Sequence, residues 1–204
     1  MPSERVTDLW EVRECFQRHF RRPPYFLVAE DSDGLQGLLP LSWIEESRCF
    51  GFFPGETWHG KTWIEQNRIP TRREGVLAAL LDACPSTYHL RYLTPESVSG
   101  GDGTVDEIGY LFCPADYDYD MDRYYRDFSR KSAKRLERDL ADLGRPGVEF
   151  RCDEPADFDL MVTMNLDRFG ASSFFADPRF CEGFRSLRDL LMEKGWLRMT
   201  TVLI

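Results

Sequence analysis

Two stretches of this 204-residue chain combine side chains that could do chemistry. In WHGKTW (58–63), with Glu65 and Asn67 just behind, Trp58 and Trp63 offer flat apolar faces on which a sugar ring can stack. His59 or Glu65 could take a proton from an amine or hydroxyl. Histidine titrates nearest neutrality, which suits that task. In FSRKSAKRLERDLADLG (128–144), Arg130, Lys131, Lys134, Arg135 and Arg138 fall within nine residues. Ammonium and guanidinium groups on one helix face can make charge-assisted bonds to an anion such as a phosphate or an acidic polysaccharide. Each stretch also has a plainer account. Aromatic residues close cores, and Asp127, Glu137, Asp139 and Asp142 lie close enough to pair with the cations as a solvated helix face.

The elements that must position these groups follow from periodicity. Val6 to Phe20 reads as an amphipathic helix stopped by Arg21-Arg22-Pro23-Pro24. YFLVAE (25–30) and LQGLLPLSWI (35–44), separated by Asp31-Ser32-Asp33-Gly34, read as a hairpin in which Pro40 implies a bulge or an edge. RCFGFF (48–53) is a third strand. Thr71 and Glu74 form a capping box for a helix to Ala83 that buries Val76, Leu77, Leu80 and Leu81. YHLRYL (88–93) and IGYLFC (108–113) are two more strands around the flexible SVSGGDGT.

Asp120 or Asp122 caps a short helix, and the basic segment forms a longer one ending at Gly144. At about 100° per residue, Ala133, Leu136, Leu140 and Leu143 make one stripe, with the cations roughly opposite. The chain then restarts: strand VEFRC (148–152), helix 158–169, helix 179–195 and strand 196–204. Counted from the basic helix ahead of strand 148–152, this part follows the helix-before-strand order that opens the chain, so two related α+β units fit the pattern.

The formal net charge of −9 argues against general binding to nucleic acid or anionic membrane, since both need a positive field over a broad surface. No apolar run approaches the roughly 20 residues of a membrane span. The start, MPSERVTDLWEVREC, lacks the apolar core of a secretory signal. Six scattered cysteines without a CxxC pair read as reduced, mostly buried thiols of a cytoplasmic protein. ADYDYDMDRYYRD (115–127) opens like a calcium loop, but Met121 and Asp127 stand where such a loop needs Gly and Glu. His19 and His89 have no partner spacing and read as structural. With no HExxH, no His/Cys ligand set and no GxSxG elbow, neither a metal site nor a serine hydrolase is expected.

In order along the chain, YFLVAEDSDGLQGLLPL, FSRKSAKRLERDL, GVEFR and FFADPRFCEGFRSLRDLLMEKGWLRMTTVLI resemble the double-GNAT proteins, the CelD-like or FemAB-like acetyltransferases often found with exopolysaccharide or cell-wall genes. The resemblance runs from about Leu9 to Ile204. It implies an α+β fold, a GNAT-like mixed sheet flanked by helices. The first half would span 1–114, a basic connecting segment 115–146, and the opening of a second half 147–204. It implies acyl transfer from acetyl-CoA or another acyl-CoA to an amine or hydroxyl, on a sugar or a cell-envelope precursor. The five cations would hold the phosphates of the donor in a cleft between the halves. Asn165, Arg168, Ser172, Ser173 and Phe174 would border the acceptor site, in what otherwise reads as an ordinary interhelical loop.

The chain departs from the family in lacking a Gln/Arg-x-x-Gly-x-Gly/Ala loop for the donor's pyrophosphate. Gly100-Gly101-Asp102-Gly103 is its nearest approach, and that aspartate would repel phosphate. The apolar strand 196–204 lacks an evident partner strand, so the chain is expected to be the first part of a longer protein, or to dimerise through that strand. Two alternatives accompany acyl transfer. One is Fem-type aminoacyl transfer from tRNA; the other is a non-enzymatic anion-binding or scaffold module.

Overall fold

A computed structural model of the chain describes residues 5–98 and 112–203. Its elements run α1 (Trp10–Phe20), β1 (Pro24–Asp31), β2 (Gly34–Ile44), β3 (Cys49–Phe52), β4 (Thr57–Trp58), β5 (Lys61–Thr62) and α2 (Val76–Asp82). Then come α3 (Met121–Tyr125), α4 (Arg130–Leu143), β6 (Glu149–Cys152), α5 (Asp157–Phe169), α6 (Pro178–Glu193) and β7 (Thr200–Leu203). They divide into two compact units, Met1–Gly103 with Ala156–Leu197, and Thr104–Pro155 with Arg198–Ile204. Helices α5 and α6, which the sequence assigns to a second half, thus share a unit with α1.

In the larger unit, β1, β2 and β3 form an antiparallel sheet in that order. The β1–β2 turn is tied by the Asp31 carboxylate, which accepts from Asp33 N at 2.8 Å. Leu39 and Leu41 of the middle strand are fully buried and pack with Phe50, Phe52, Ile69 and Leu80. Helix α2 crosses that face at Gly37, where a Cβ would stand 2.7 Å from Val76 Cγ1. A second cluster joins Val12, Cys15, Phe16 and Phe20 of α1 to Ile64 and to Phe180 and Leu187 of α6.

Several expectations change here. The first helix begins at Trp10, because Leu9 is extended and separates it from a 3-10 turn at Val6–Asp8. The irregularity expected at Pro40 lies across the sheet at Ala29/Glu30. Pro40 itself is accommodated where β3 ends, its carbonyl accepting from Phe53 N at 3.0 Å. The Thr71–Glu74 capping box does not form. Thr71 bridges Gly37 and Arg72 N donates to Gln36 O, so the sheet takes that segment and Gly75, at φ +82°, opens α2 at Val76. The strand expected over 88–93 is reduced to two parallel bridges, Phe50↔Tyr88 and Asn67↔Leu93. These bridges are the parallel pairings among the described residues, whose sheets are otherwise antiparallel. Gly100–Gly103 and all but the last two residues of the strand expected over 108–113 lie outside the described residues.

In the smaller unit, Asp120 caps α3 and Ser129 caps α4 through the N–H groups of Asp122 and Ser132. Strand β7 does have a partner: it pairs antiparallel with β6 from Glu149↔Leu203 to Cys152↔Thr200. The leucine stripe of α4 is not buried, with Leu140 and Leu143 exposed by 46% and 37%. All six cysteines are free thiols, yet only Cys15 and Cys49 are buried; Cys113 and Cys152 are exposed. Among the described residues no helix is long and apolar enough to cross a membrane.

Candidate functional site

The WHGKTW stretch is a tight hairpin. Thr57 pairs with Thr62 and Trp58 with Lys61, which leaves His59 and Gly60 as a two-residue loop. Both have positive φ, 46° and 74°, the backbone of a type I′ turn. A side chain other than Gly, Asn or Asp is strained there. The strained residue is His59, exposed at the tip with its ring edge-on to Trp58 at 4.1 Å.

Three buried polar residues hold this hairpin, and sequence reading missed two of them. Glu56 is 2% exposed, and one of its carboxylate oxygens accepts from Thr62 Oγ1 at 3.0 Å, Trp63 N at 3.2 Å and Ile64 N at 2.9 Å. Arg13 donates to Phe53 O at 2.5 Å and to Asn67 Oδ1 at 2.9 Å, and its guanidinium lies over the Phe52 ring. Burial pushes the Arg13 pKa down, opposed by the charges of Glu56 and Asp8. Asn67 completes the set by donating to the carbonyls of Ile64 and Arg91. Its amide is therefore occupied on both sides. The signal for Arg13 was available: it falls on the stripe Leu9, Arg13, Phe16, Phe20 at helical spacing, and a buried cation must find acceptors.

The second segment, between α5 and α6, comes to the same place. Ser173 is buried, donates to Asn165 Oδ1 at 2.6 Å and accepts from Phe175 N at 3.0 Å. Phe174 stands 6.2 Å from Trp58 and 5.0 Å from Phe180. Trp63 meets Phe184 edge-on at 4.3 Å. Trp58, Trp63 and Phe174 are therefore brought into one aromatic cluster. Glu65, Arg168 and Ser172 are exposed, with Arg168 over the Phe169 ring. His19, read as structural, shares a 2.9 Å hydrogen bond with Ser186 that ties α1 to α6; His89 is exposed, and its backbone N–H donates to Phe50 O.

The start of α6 is pinned by an ion network. Asp177 caps the helix through Arg179 N and pairs with the Arg179 guanidinium at 2.7 Å. Arg179 reaches Glu46 at 3.4 Å, and the buried Arg22 grips Glu46 at 2.5 and 2.9 Å. The hydrogen bonds from Arg22 hold the Glu46 carboxyl down at about 2, well below the usual carboxylate range.

In the smaller unit, all five cations of α4 are exposed. Lys131, Lys134, Arg135 and Arg138, with Ser132, line one open depression along a single helix face. Asp139 pairs with Arg135 at 3.7 Å and with Arg138 at 3.6 Å. The charges run against the helix dipole, cations toward the N-terminus and Glu137, Asp139 and Asp142 toward the C-terminus. An anion beside the first turns would offset that arrangement.

Residues 128–204 match the family model of the acetyltransferase (GNAT) domain. The matched span holds the basic helix and the Asn165–Phe174 segment, while the Trp58 hairpin precedes it. Small antiparallel sheets flanked by helices are consistent with a GNAT-like α+β fold, and the match supports acyl transfer as the general chemistry. No curated protein and no solved structure matches the chain. Among the described residues, no group of three or more His, Cys, Asp or Glu side chains is placed to hold a metal ion.

Proposed function

We propose that this chain carries out GNAT-type acyl transfer, with an acyl-CoA as donor and an amine or hydroxyl of a sugar or cell-envelope precursor as acceptor. The observation that carries this reading is the GNAT match over 128–204, the segment that also bears the cationic face. The donor set of α4 fits the phosphates of an acyl-CoA. Lys131 and Lys134 offer ammonium groups, Arg135 and Arg138 offer guanidinium forks, and all four lie on one helix face. When bound, the donor supplies an acyl group activated as a thioester.

In the larger unit, Trp58, Trp63 and Phe174 present aromatic surface to the acceptor, with Arg168 and Ser172 exposed nearby in sequence. His59 accepts the proton that the acceptor nitrogen or oxygen loses, and Glu65 is the second candidate for that role. Asn165 and Ser173 fix the turn that carries Phe174, and Asn67 fixes the hairpin.

Release of free thiol from acetyl-CoA, measured with a panel of amino sugars and hydroxyl acceptors, tests this. Acceptor-dependent release that His59→Asn lowers by about 10²–10⁴ is the expected result. No release with any acceptor contradicts it. A second reading, a non-enzymatic anion-binding module, rests on the same cationic face and predicts phosphate binding without thiol release. Fem-type transfer predicts instead an RNA affinity that falls steeply with salt.

A further inference from the structure

The four cations that line the α4 depression are not equivalent. Lys131 and Lys134 have no ion pair among the described residues, whereas Arg135 and Arg138 both reach the Asp139 carboxylate, at 3.7 and 3.6 Å. From Lys131 to Arg138 the helix rises about 10 Å. A single phosphate cannot cover that length, so it settles on the two lysines. A ligand with several phosphates extends onto the arginines and must compete there with Asp139.

We infer that Asp139 is an internal counter-ion that sets the affinity of this face for oligophosphates. It weakens ligands that reach Arg135 and Arg138 and leaves those confined to Lys131 and Lys134 nearly untouched. For an enzyme that must let go of a phosphate-bearing product, such a competitor keeps retention short. The inference rests on the reading of α4 as a phosphate-binding face. Asp139 is half exposed and holds no buried group, so its replacement does not threaten the fold.

Titration calorimetry at fixed ionic strength, with inorganic phosphate and tripolyphosphate as probes, tests the inference. Asp139→Asn should tighten tripolyphosphate about fivefold, the worth of two surface ion pairs, and phosphate less than twofold. Asp142→Asn is the control, because it makes the same change in net charge while its carboxylate pairs with Arg145. It should leave both affinities within about twofold. Equal tightening of both probes by Asp139→Asn, or none of either, overturns the role of Asp139 alone. Failure of the unaltered chain and both variants to bind any probe removes the phosphate-binding face as well.

Discussion

The rings of Trp58 and Phe174 lie 6.2 Å apart, centroid to centroid, and join the β4–β5 hairpin to the turn that precedes α6. Aromatic pairs of this kind contribute about 0.5–1.5 kcal/mol beyond the area they bury. Urea unfolding of Trp58→Ala, Phe174→Ala and the double variant should therefore give a coupling energy of about that size. Additive effects would mean that the two segments fold without leaning on one another.

His59 sets stability against function. Asparagine tolerates the left-handed conformation of a type I′ turn better than histidine does, so His59→Asn should stabilise the chain by up to about 1 kcal/mol. The same change should remove the proton acceptor. A variant with a higher urea midpoint and a collapsed thiol-release rate is the expected combination. Unchanged turnover would pass the role to Glu65.

Gly183 is the contact point of α1 and α6. A Cβ there would stand 2.6 Å from Phe16 Cδ1, on a ring that is itself fully buried. Gly183→Ala should destabilise the chain by about 1–3 kcal/mol, although alanine favours helix, because a packed core gives way poorly. Thermal unfolding of the variant measures it, and a rise in Tm would show that the helices part at little cost.

Glu46 makes acid stability asymmetric. Its pKa falls from an ordinary 4.5 to about 2 in the folded chain, chiefly through the Arg22 hydrogen bonds. A depressed carboxyl contributes stability that is complete above its unfolded pKa and is lost as pH falls through its folded pKa. Urea midpoints should therefore decline between pH 4.5 and 2, and Glu46→Gln should flatten that decline. Its half-exposed carboxylate keeps the effect modest. An identical pH profile in the variant would mean that other carboxylates carry the acid transition.

Much of the larger unit was legible because its signals are local. The β1–β2 hairpin announces itself through Asp31-Ser32-Asp33-Gly34, and the helix expected over 179–195 is α6, Pro178–Glu193. The Thr71–Glu74 box misled because a sheet edge competed for the same backbone: a Gly37 bridge outweighed a cap worth about 1 kcal/mol. Residues 88–93 have strand composition yet add only bridges, since pairing is decided by non-local partners that periodicity does not name. At the candidate site the tryptophans and Phe174 were visible as residue types. Their convergence, and the Glu56–Arg13–Asn67 scaffold behind them, depend on contacts between distant segments. The leucines of α4 share one face in the sequence, yet Leu140 and Leu143 are exposed, because amphipathicity does not specify what a face packs against.

Thermal unfolding with and without acetyl-CoA shows whether the α4 face binds an acyl-CoA donor. Ligand at about 100-fold its Kd should add roughly 2.7 kcal/mol, a rise in Tm on the order of 5–10 °C for a chain of this size. That rise is expected for the unaltered chain, and its loss in the Lys134→Ala, Arg135→Ala double variant. No rise in the unaltered chain, or a rise that survives in the double variant, would contradict donor binding on the α4 face.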